Sequence, residues 1–456
     1  MYNFASFQAS VQNKLQNEDK KDNQLQKSKV LVKKSVVCSS SDSWKLLDHA
    51  VLLTSQATVL TANFLTHHLS GPRKPSWPIQ LTLICAAMRA LTEHTHLADV
   101  DKLRMFTSIP FTFTSSDIIV TPVSFRVLNR GLPGILKDLE DCETGNREIS
   151  AEWVVPKGVW RKINDEYHLS AAHHKHIYID PDGIKWSKEK VILYLHGGAY
   201  YLMSAKTHRD LNYRLSKVTG RRVFAINYRL APESPFPCGL HDAVHAFLYL
   251  IDPNGLAIQP HNIVVAGDSA GALALLYYLR DNQMSLPGGA VLFSPWVDLT
   301  MSCASWDQNQ PYDYLFKQKD DDPLHPVNLY LKPEERSKLI KHPYVSPLFG
   351  DLNNLPPLLI QCGDSEVLRD EINELVKKAS DTSTTFVQHE VYEDMVHVFQ
   401  MFNFLEPAIK AMDSVGYFVR NVIPIHQRNT LISHNRYCTN ECTTVGTLKH
   451  SIARFR

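Results

Sequence analysis

The sequence has no excess of either charge: 48 Lys and Arg stand against 47 Asp and Glu in 456 residues, a formal net charge of +1. Without a basic or acidic field, the global electrostatics select neither a nucleic acid nor an anionic membrane as partner. A cysteine framework is missing too. Eight cysteines lie scattered at 38, 85, 142, 238, 303, 362, 438 and 442 with no CxxC pair, which reads as free thiols in a reducing compartment. The one close pair, Cys438 and Cys442 with His434 nearby, is a lone CxxxC and too little to mark a metal site. No stretch reaches the roughly 20 apolar residues of a membrane span. The most hydrophobic early segment, "AVLLTSQATVLTANFL", is interrupted by Thr, Ser, Gln and Asn. The N-terminus has no apolar core behind a charged start, so no signal peptide is expected. An intracellular location follows as the expectation, cytoplasmic or peripheral to the endoplasmic reticulum or lipid droplets. Seven lysines against three acidic residues before Ser35 leave room for a weak membrane-surface contact. No internal repeat is present, and nothing in the sequence fixes an oligomeric state.

What is there divides into four stretches. Residues 1–42 are rich in Gln, Asn and Lys and read as a solvated tail, with too little apolar surface to offset the entropy of ordering. Residues 43–148 are expected to be mainly helical, because "WKLLDHAVLL" and "IQLTLICAAMRALTEH" repeat their apolar residues every three or four positions around a Pro-rich break. From 149 to 425 the rhythm changes. Short β-branched and aromatic runs ("KHIYID", "KVILYLH", "RRVFAIN", "NIVVAG", "AVLFSP", "PPLLIQCG") alternate with helical periodicity, the signature of an α/β fold with a mainly parallel sheet covered on both faces. The polar stretch at 303–343, around "DQNQPYDYLFKQKDDDPLHP", interrupts that alternation and is expected to be a cap insertion. Residues 426–456 read as a second tail.

The chemistry concentrates in three places. "NIVVAGDSAGALAL" sets Ser269 between Gly267 and Gly271, in the G-x-S-x-G spacing that projects a nucleophilic hydroxyl from a tight strand-to-helix turn. The bland alternative is a packing turn whose Ser caps the helix. "KVILYLHGGAYYL" ends a strand in His196, Gly197 and Gly198, 73 positions before the serine. Small residues there let backbone N–H groups face a developing oxyanion, with the N–H of Ala270 as the further donor. "EVYEDMVHVFQMF" places His397 in a loop after a strand pattern, where it can act as the base. The orienting acid should fall between Ser and His in the chain, after "PPLLIQCG". Asp364 and Glu366 both stand there, and spacing does not choose between them.

The motifs "HGGAY", "NYRLAPESPFP", "GDSAGALAL", "SPWVDLT", "EVLRDE" and "DMVHVF" resemble, in order, those of the hormone-sensitive lipase-like family of α/β-hydrolases, which includes fungal esterases and steryl acetyl deacetylases. The resemblance covers about residues 150–420. It implies an α/β-hydrolase fold with a helical two-part cap, Ser269 as nucleophile, His397 as base, and an oxyanion hole from Gly197, Gly198 and Ala270. In its register Glu366 takes the acid's position and Asp364 becomes the alternative. It also implies a lipophilic ester of short or medium acyl length as substrate, with no metal or cofactor. Tyr200 and Tyr201, after the glycine loop, are candidates to line the site or to be core. Arg229, Glu233, Asp268, Asp298, Asp370 and Glu371 read as structural partners. The rival readings are a triacylglycerol lipase and a ligand-binding receptor on the same fold. Plant hormone receptors that resemble this family lack the catalytic His, whereas Ser, His and acid are all present here.

Overall fold

The structure, a computed structural model, describes residues 56–93, 99–108, 115–172, 177–181, 183–381, 384–429 and 451–455. The expected N-terminal tail and the Cys438, Cys442 and His434 group lie outside them. A nine-stranded sheet organises the chain. In chain order its strands are β1 (Ile118–Arg126), β2 (Glu148–Pro156), β3 (Val191–Leu195), β4 (Arg222–Ile226), β5 (Ile263–Asp268), β6 (Gly289–Phe293), β7 (Leu358–Gly363), β8 (Val387–Tyr392) and β9 (Ser451–Phe455). The spatial order is β1-β2-β4-β3-β5-β6-β7-β8-β9. The pairs from β4 to β9 are all parallel, while β1 with β2 and β2 with β4 run antiparallel.

The helices are α1 (Ile79–Glu93), α2 (Val100–Thr107), α3 (Lys157–Ala172), α4 (Arg209–Thr219), α5 (Cys238–Ile251), α6 (Leu273–Asp281), α7 (Arg369–Asp381) and α8 (Glu406–Tyr417), with shorter turns between them. Side chains on a strand alternate between faces, and β3 shows how both faces are used. Val191, Leu193 and Leu195 join the core packed by α5, α6 and α7. Ile192 and Tyr194 join the opposite core, with Leu211 and Leu215 of α4 and Met412 and Val415 of α8. All five β3 residues are buried, so the strand must be apolar throughout, which is why "VILYL" shows no polar alternation.

Three sequence expectations are corrected. "KHIYID" contributes no strand to the main sheet: Ile177–Ile179 pairs with Lys185–Ser187 in a separate hairpin, and its three residues are exposed. The region to 148 is not wholly helical, because β1 and the start of β2 lie in it. Pro122 sits mid-strand in β1, which among the described residues pairs only with β2. An edge strand tolerates a residue without an N–H, so the proline is accommodated. The C-terminal tail begins later than 426, since residues 423–429 are helical. Within the stretch beyond, β9 pairs along β8, whose open edge offers unpaired N–H and C=O groups.

Among the described residues, no helix is long and apolar enough to cross a membrane.

Candidate active site

The carboxyl ends of β3, β5, β6 and β7, with the loop after β8, meet at one cavity of about 350 Å³. In parallel sheets this is the edge where loops converge on a ligand. Ser269 follows the last residue of β5 and lies at φ 51°, a left-handed conformation rare for a residue with a side chain. Gly267 and Gly271 make that turn sterically feasible: a Cβ on either would stand 2.7 Å from the Leu195 carbonyl oxygen. The turn is tied down by the Ser269 N–H, which donates to Phe293 O at 2.9 Å, and by Trp296 N–H, which donates to Ser269 O at 2.7 Å. Such strain persists only where the surroundings over-determine it.

The preceding residue links this elbow to the glycine loop. Asp268 is buried and accepts from Tyr194 Oη at 2.6 Å and from the Gly197 N–H at 2.9 Å, with His208 Nε2 at 3.3 Å. Burial pushes the Asp268 carboxyl up, but His208 and Tyr194 outweigh it and hold it below the usual range. A Cβ on Gly197 would collide with this carboxylate. The assignment of Gly197 to the oxyanion hole is therefore corrected: its N–H is committed to Asp268. Gly198, at φ 105°, and Ala199, at φ 51°, turn the loop onward, and both line the cavity with Ser269. The backbone N–H groups of Gly198, Ala199 and Ala270 have no acceptor among the described residues.

His397 is buried and lies on the wall of the same cavity. Its Nδ1 faces Glu366 Oε1 at 3.8 Å, and neither atom has a hydrogen-bond partner among the described residues. A shift of about 1 Å would bring them to ordinary hydrogen-bond length, the kind of tightening catalytic contacts undergo when substrate arrives. The other Glu366 oxygen accepts from Ser294 Oγ at 2.6 Å and from Gly363 N–H at 2.9 Å. Asp364 is turned elsewhere: its Oδ1 accepts from Ser365 Oγ and from Asp394 N–H, both at 2.8 Å. Of the two acids that spacing left open, Glu366 is the one brought to His397.

Two residues of this site escaped the sequence reading. Ser294 Oγ accepts from the Val398 N–H at 3.0 Å while donating to Glu366, so it binds the histidine loop to the acid; the Ser of "SPW" was its only signal. Asp313, within the 303–343 stretch, is fully buried and accepts from Val367 N–H at 2.8 Å and His397 N–H at 3.4 Å. Burial raises its carboxyl to about 6, against the lowering pull of His397. Nothing local in "PYDYLF" announces a carboxylate aimed at a loop 84 residues away.

Burial also disfavours the charged form of His397, yet Glu366, then Asp313 and Asp268, reverse the effect and raise its pKa above 6.5. A general base must be neutral to accept a proton, so a raised value delays activity on the alkaline side of 6.5. The acidic limb of kcat/KM is expected to have its midpoint above pH 6.5. Asp313→Asn removes one negative neighbour and should move that limb to lower pH. A pH–rate profile in which the variant's limb stays in place would exclude this electrostatic role.

The cavity wall is mostly apolar and built from separate parts of the chain: Met88 of α1, Leu103 of α2, Trp306 and Leu315 of the insertion, and Tyr201 after the glycine loop. Tyr200 does not line it. Its ring stacks on Tyr330 with centroids 3.8 Å apart, whereas its neighbours Ala199 and Tyr201 both line the cavity. The polar residues read as structural are partnered as such. Glu233 takes both ends of the Arg104 guanidinium at 2.8 Å, fixing α2 over the site. Glu371 accepts from Val297 N–H, Asp298 N–H and Trp306 Nε1 at 2.9–3.0 Å. Asp370 accepts from Ser305 N–H, Asp298 from Thr300, and Arg229 donates to Asp242.

A strained serine elbow at the carboxyl edge of a parallel sheet, with a histidine across one cavity, defines the class of α/β-hydrolases. The sequence profile of the alpha/beta hydrolase fold matches residues 192–401. An acetyl-hydrolase of Streptomyces hygroscopicus is 38% identical over 235 residues, 51% of this chain and 75% of that protein. An esterase of Acinetobacter venetianus is 35% identical over 250 residues, 52% and 76% respectively. Among solved structures, an esterase of the bacterial hormone-sensitive lipase family superposes with a TM-score of 0.56 at 27% identity, over 76% of this chain and 99% of that one. The esterase EstE5, soaked with p-nitrophenyl butyrate, gives 0.57 at 27% identity, over 76% and 100%. The chain belongs to the hormone-sensitive lipase-like family of α/β-hydrolases and is a carboxylesterase-type hydrolase.

Proposed function

We propose that the protein hydrolyses lipophilic esters of short or medium acyl length through an acyl-enzyme, with Ser269 as nucleophile, His397 as base and Glu366 as the acid that orients it. The observation that carries this reading is the convergence of Ser269, at φ 51°, and His397 on one mostly apolar cavity, with the free Glu366 oxygen aimed at His397 Nδ1.

His397 accepts the Ser269 hydroxyl proton as Oγ attacks the ester carbonyl. The resulting oxyanion is received by the N–H groups of Gly198, Ala199 and Ala270, preset dipoles that need no reorganisation during the step. The intermediate collapses, His397 hands its proton to the departing alkoxide, and the acyl group remains on Oγ. Water then enters and His397 deprotonates it, so that the acid product and free serine are regenerated. Glu366 stabilises the imidazolium at each stage. No step of this scheme calls on a metal or a redox cofactor.

The size of the cavity supports the acyl preference. At about 350 Å³ it lies at the small end of ordinary small-molecule sites, roughly 300–1,000 Å³. The insertion at 303–343 and the helices α1 and α2 serve as its cap. Acetyl esters of sterols or other bulky alcohols suit such a site, with the small acyl group held inside and the alcohol toward the cap.

Hydrolysis of p-nitrophenyl esters from acetate to decanoate tests the reading. kcat/KM is expected to pass through a maximum before decanoate and to show no activation on an emulsion. A continuous rise toward long chains with interfacial activation would instead make the enzyme a triacylglycerol lipase. Tight ligand binding without turnover of any ester would favour a receptor.

A further inference from the structure

Outside the catalytic cavity, three buried side chains converge with no part in the chemistry above. His241 and His245 lie one turn apart on α5 and so point from the same face of the helix. Glu140, in the short helix Lys137–Asp141, reaches across to them. Its Oε2 lies 2.9 Å from Nε2 of His241 and 2.9 Å from Nε2 of His245, and the two nitrogens are 3.2 Å apart. All three residues are buried, at 0–3% exposure, and none of them lines the catalytic cavity. We infer that Glu140, His241 and His245 form a structural binding site for one divalent transition-metal ion of the zinc type.

The geometry carries the inference. An ion standing about 1 Å out of the plane of this triangle would lie about 2 Å from all three atoms, the bond length zinc takes to imidazole nitrogen and carboxylate oxygen. The donor set of two imidazoles and one carboxylate suits zinc, and a water molecule completes four ligands. Without an ion, one carboxylate oxygen accepts from both imidazoles, one on each lone pair, and this leaves the two nitrogens crowded at 3.2 Å from each other.

The surroundings accommodate the change. Glu140 Oε1 is held by the Arg130 N–H, leaving Oε2 for the ion. His241 Nδ1 now accepts from Arg147 Nη2 at 3.2 Å and Arg229 Nη2 at 3.1 Å, which places the ring proton on Nε2. Metal binding moves that proton to Nδ1, so both guanidinium groups must turn off that nitrogen and Asp242 Oδ1, 3.9 Å away, must close on it as the acceptor. Asp242 already takes both guanidinium groups, at 2.7 Å from Arg147 and 2.9 Å from Arg229, and Glu143 takes Arg147 Nε at 2.9 Å. Those cations are thus compensated, and a carboxylate behind a metal-bound histidine is a common outer partner. The ion would bridge α5 to the connection between β1 and β2, so its contribution is to stability rather than to ester hydrolysis.

The test uses the full chain, stripped with a chelator and titrated with zinc alone, beside Glu140→Gln and His245→Ala. Wild type is expected to retain one equivalent after desalting and to melt at a higher temperature with zinc. Either variant should bind at least about 10-fold more weakly while keeping ester hydrolysis, which shows that it has folded. Cobalt substituted into the wild type should give visible d–d bands of a four-coordinate nitrogen and oxygen site. Uptake well below one equivalent, absence of those bands, or equal uptake by wild type and both folded variants would each overturn the inference, the last by placing the zinc on other histidines. The outcome is independent of the ester chemistry.

Discussion

Ser269→Ala is expected to lower kcat for p-nitrophenyl esters by about 10⁴-fold or more, while the protein stays folded. The hydroxyl is the one group in the scheme that forms a bond to the acyl carbon, and no neighbour replaces it. The elbow's backbone bonds, Ser269 N–H to Phe293 O and Trp296 N–H to Ser269 O, do not depend on the side chain. Alanine is also accepted at positive φ elsewhere in this chain, at Ala199 and Ala257. Thermal melting and burst kinetics on both forms separate chemistry from folding: the wild type should release about one equivalent of p-nitrophenol rapidly where deacylation limits turnover, and the variant none. Retention of full activity would remove Ser269 from the mechanism.

Glu366→Gln should be the second large effect, about 10³–10⁴-fold in kcat, with Asp364→Asn within a few-fold of wild type. A carboxylate that holds a catalytic imidazole in one tautomer contributes on that scale, since the wrong tautomer cannot take the proton. The asymmetry follows from placement: Glu366 Oε1 faces His397 Nδ1, whereas Asp364 braces the 394 turn. Glutamine can still accept from Ser294 and Gly363, so the loops should hold and the loss should fall on chemistry. Steady-state kinetics of the two variants decide it, and the reverse ranking would make Asp364 the acid.

The parts of the site that could be read in the sequence are those whose geometry is local. Ser269, its flanking glycines and the strand before it lie within a few residues, and steric demand alone limits what can stand there. The alternation of strands and helices was legible because both faces of β3 to β7 are covered, so each strand is a mainly apolar run, with Gln361 of β7 a buried exception. Local pattern failed where partners are distant. Gly197 looked like a free donor because its acceptor, the Asp268 carboxylate, is 71 residues away. Asp313 and Ser294 act through long-range contacts with the histidine loop, and neither belongs to a spacing that chemistry alone requires.

The cavity wall formed by α1 also records an order of assembly. Trp77, just ahead of α1, donates from Nε1 to Asp394 O at 2.6 Å across 317 residues, and Leu81 and Cys85 of α1 pack with Phe399 and Phe402. During synthesis at about 5–20 residues per second, α1 leaves the ribosome roughly 15–60 s before the surface that covers it exists. Its apolar face must wait, in water or held by a chaperone, while the sheet between is laid down. The roof of the cavity is therefore among the last parts to close, and a nascent chain halted in the late sheet would carry an elbow without a roof.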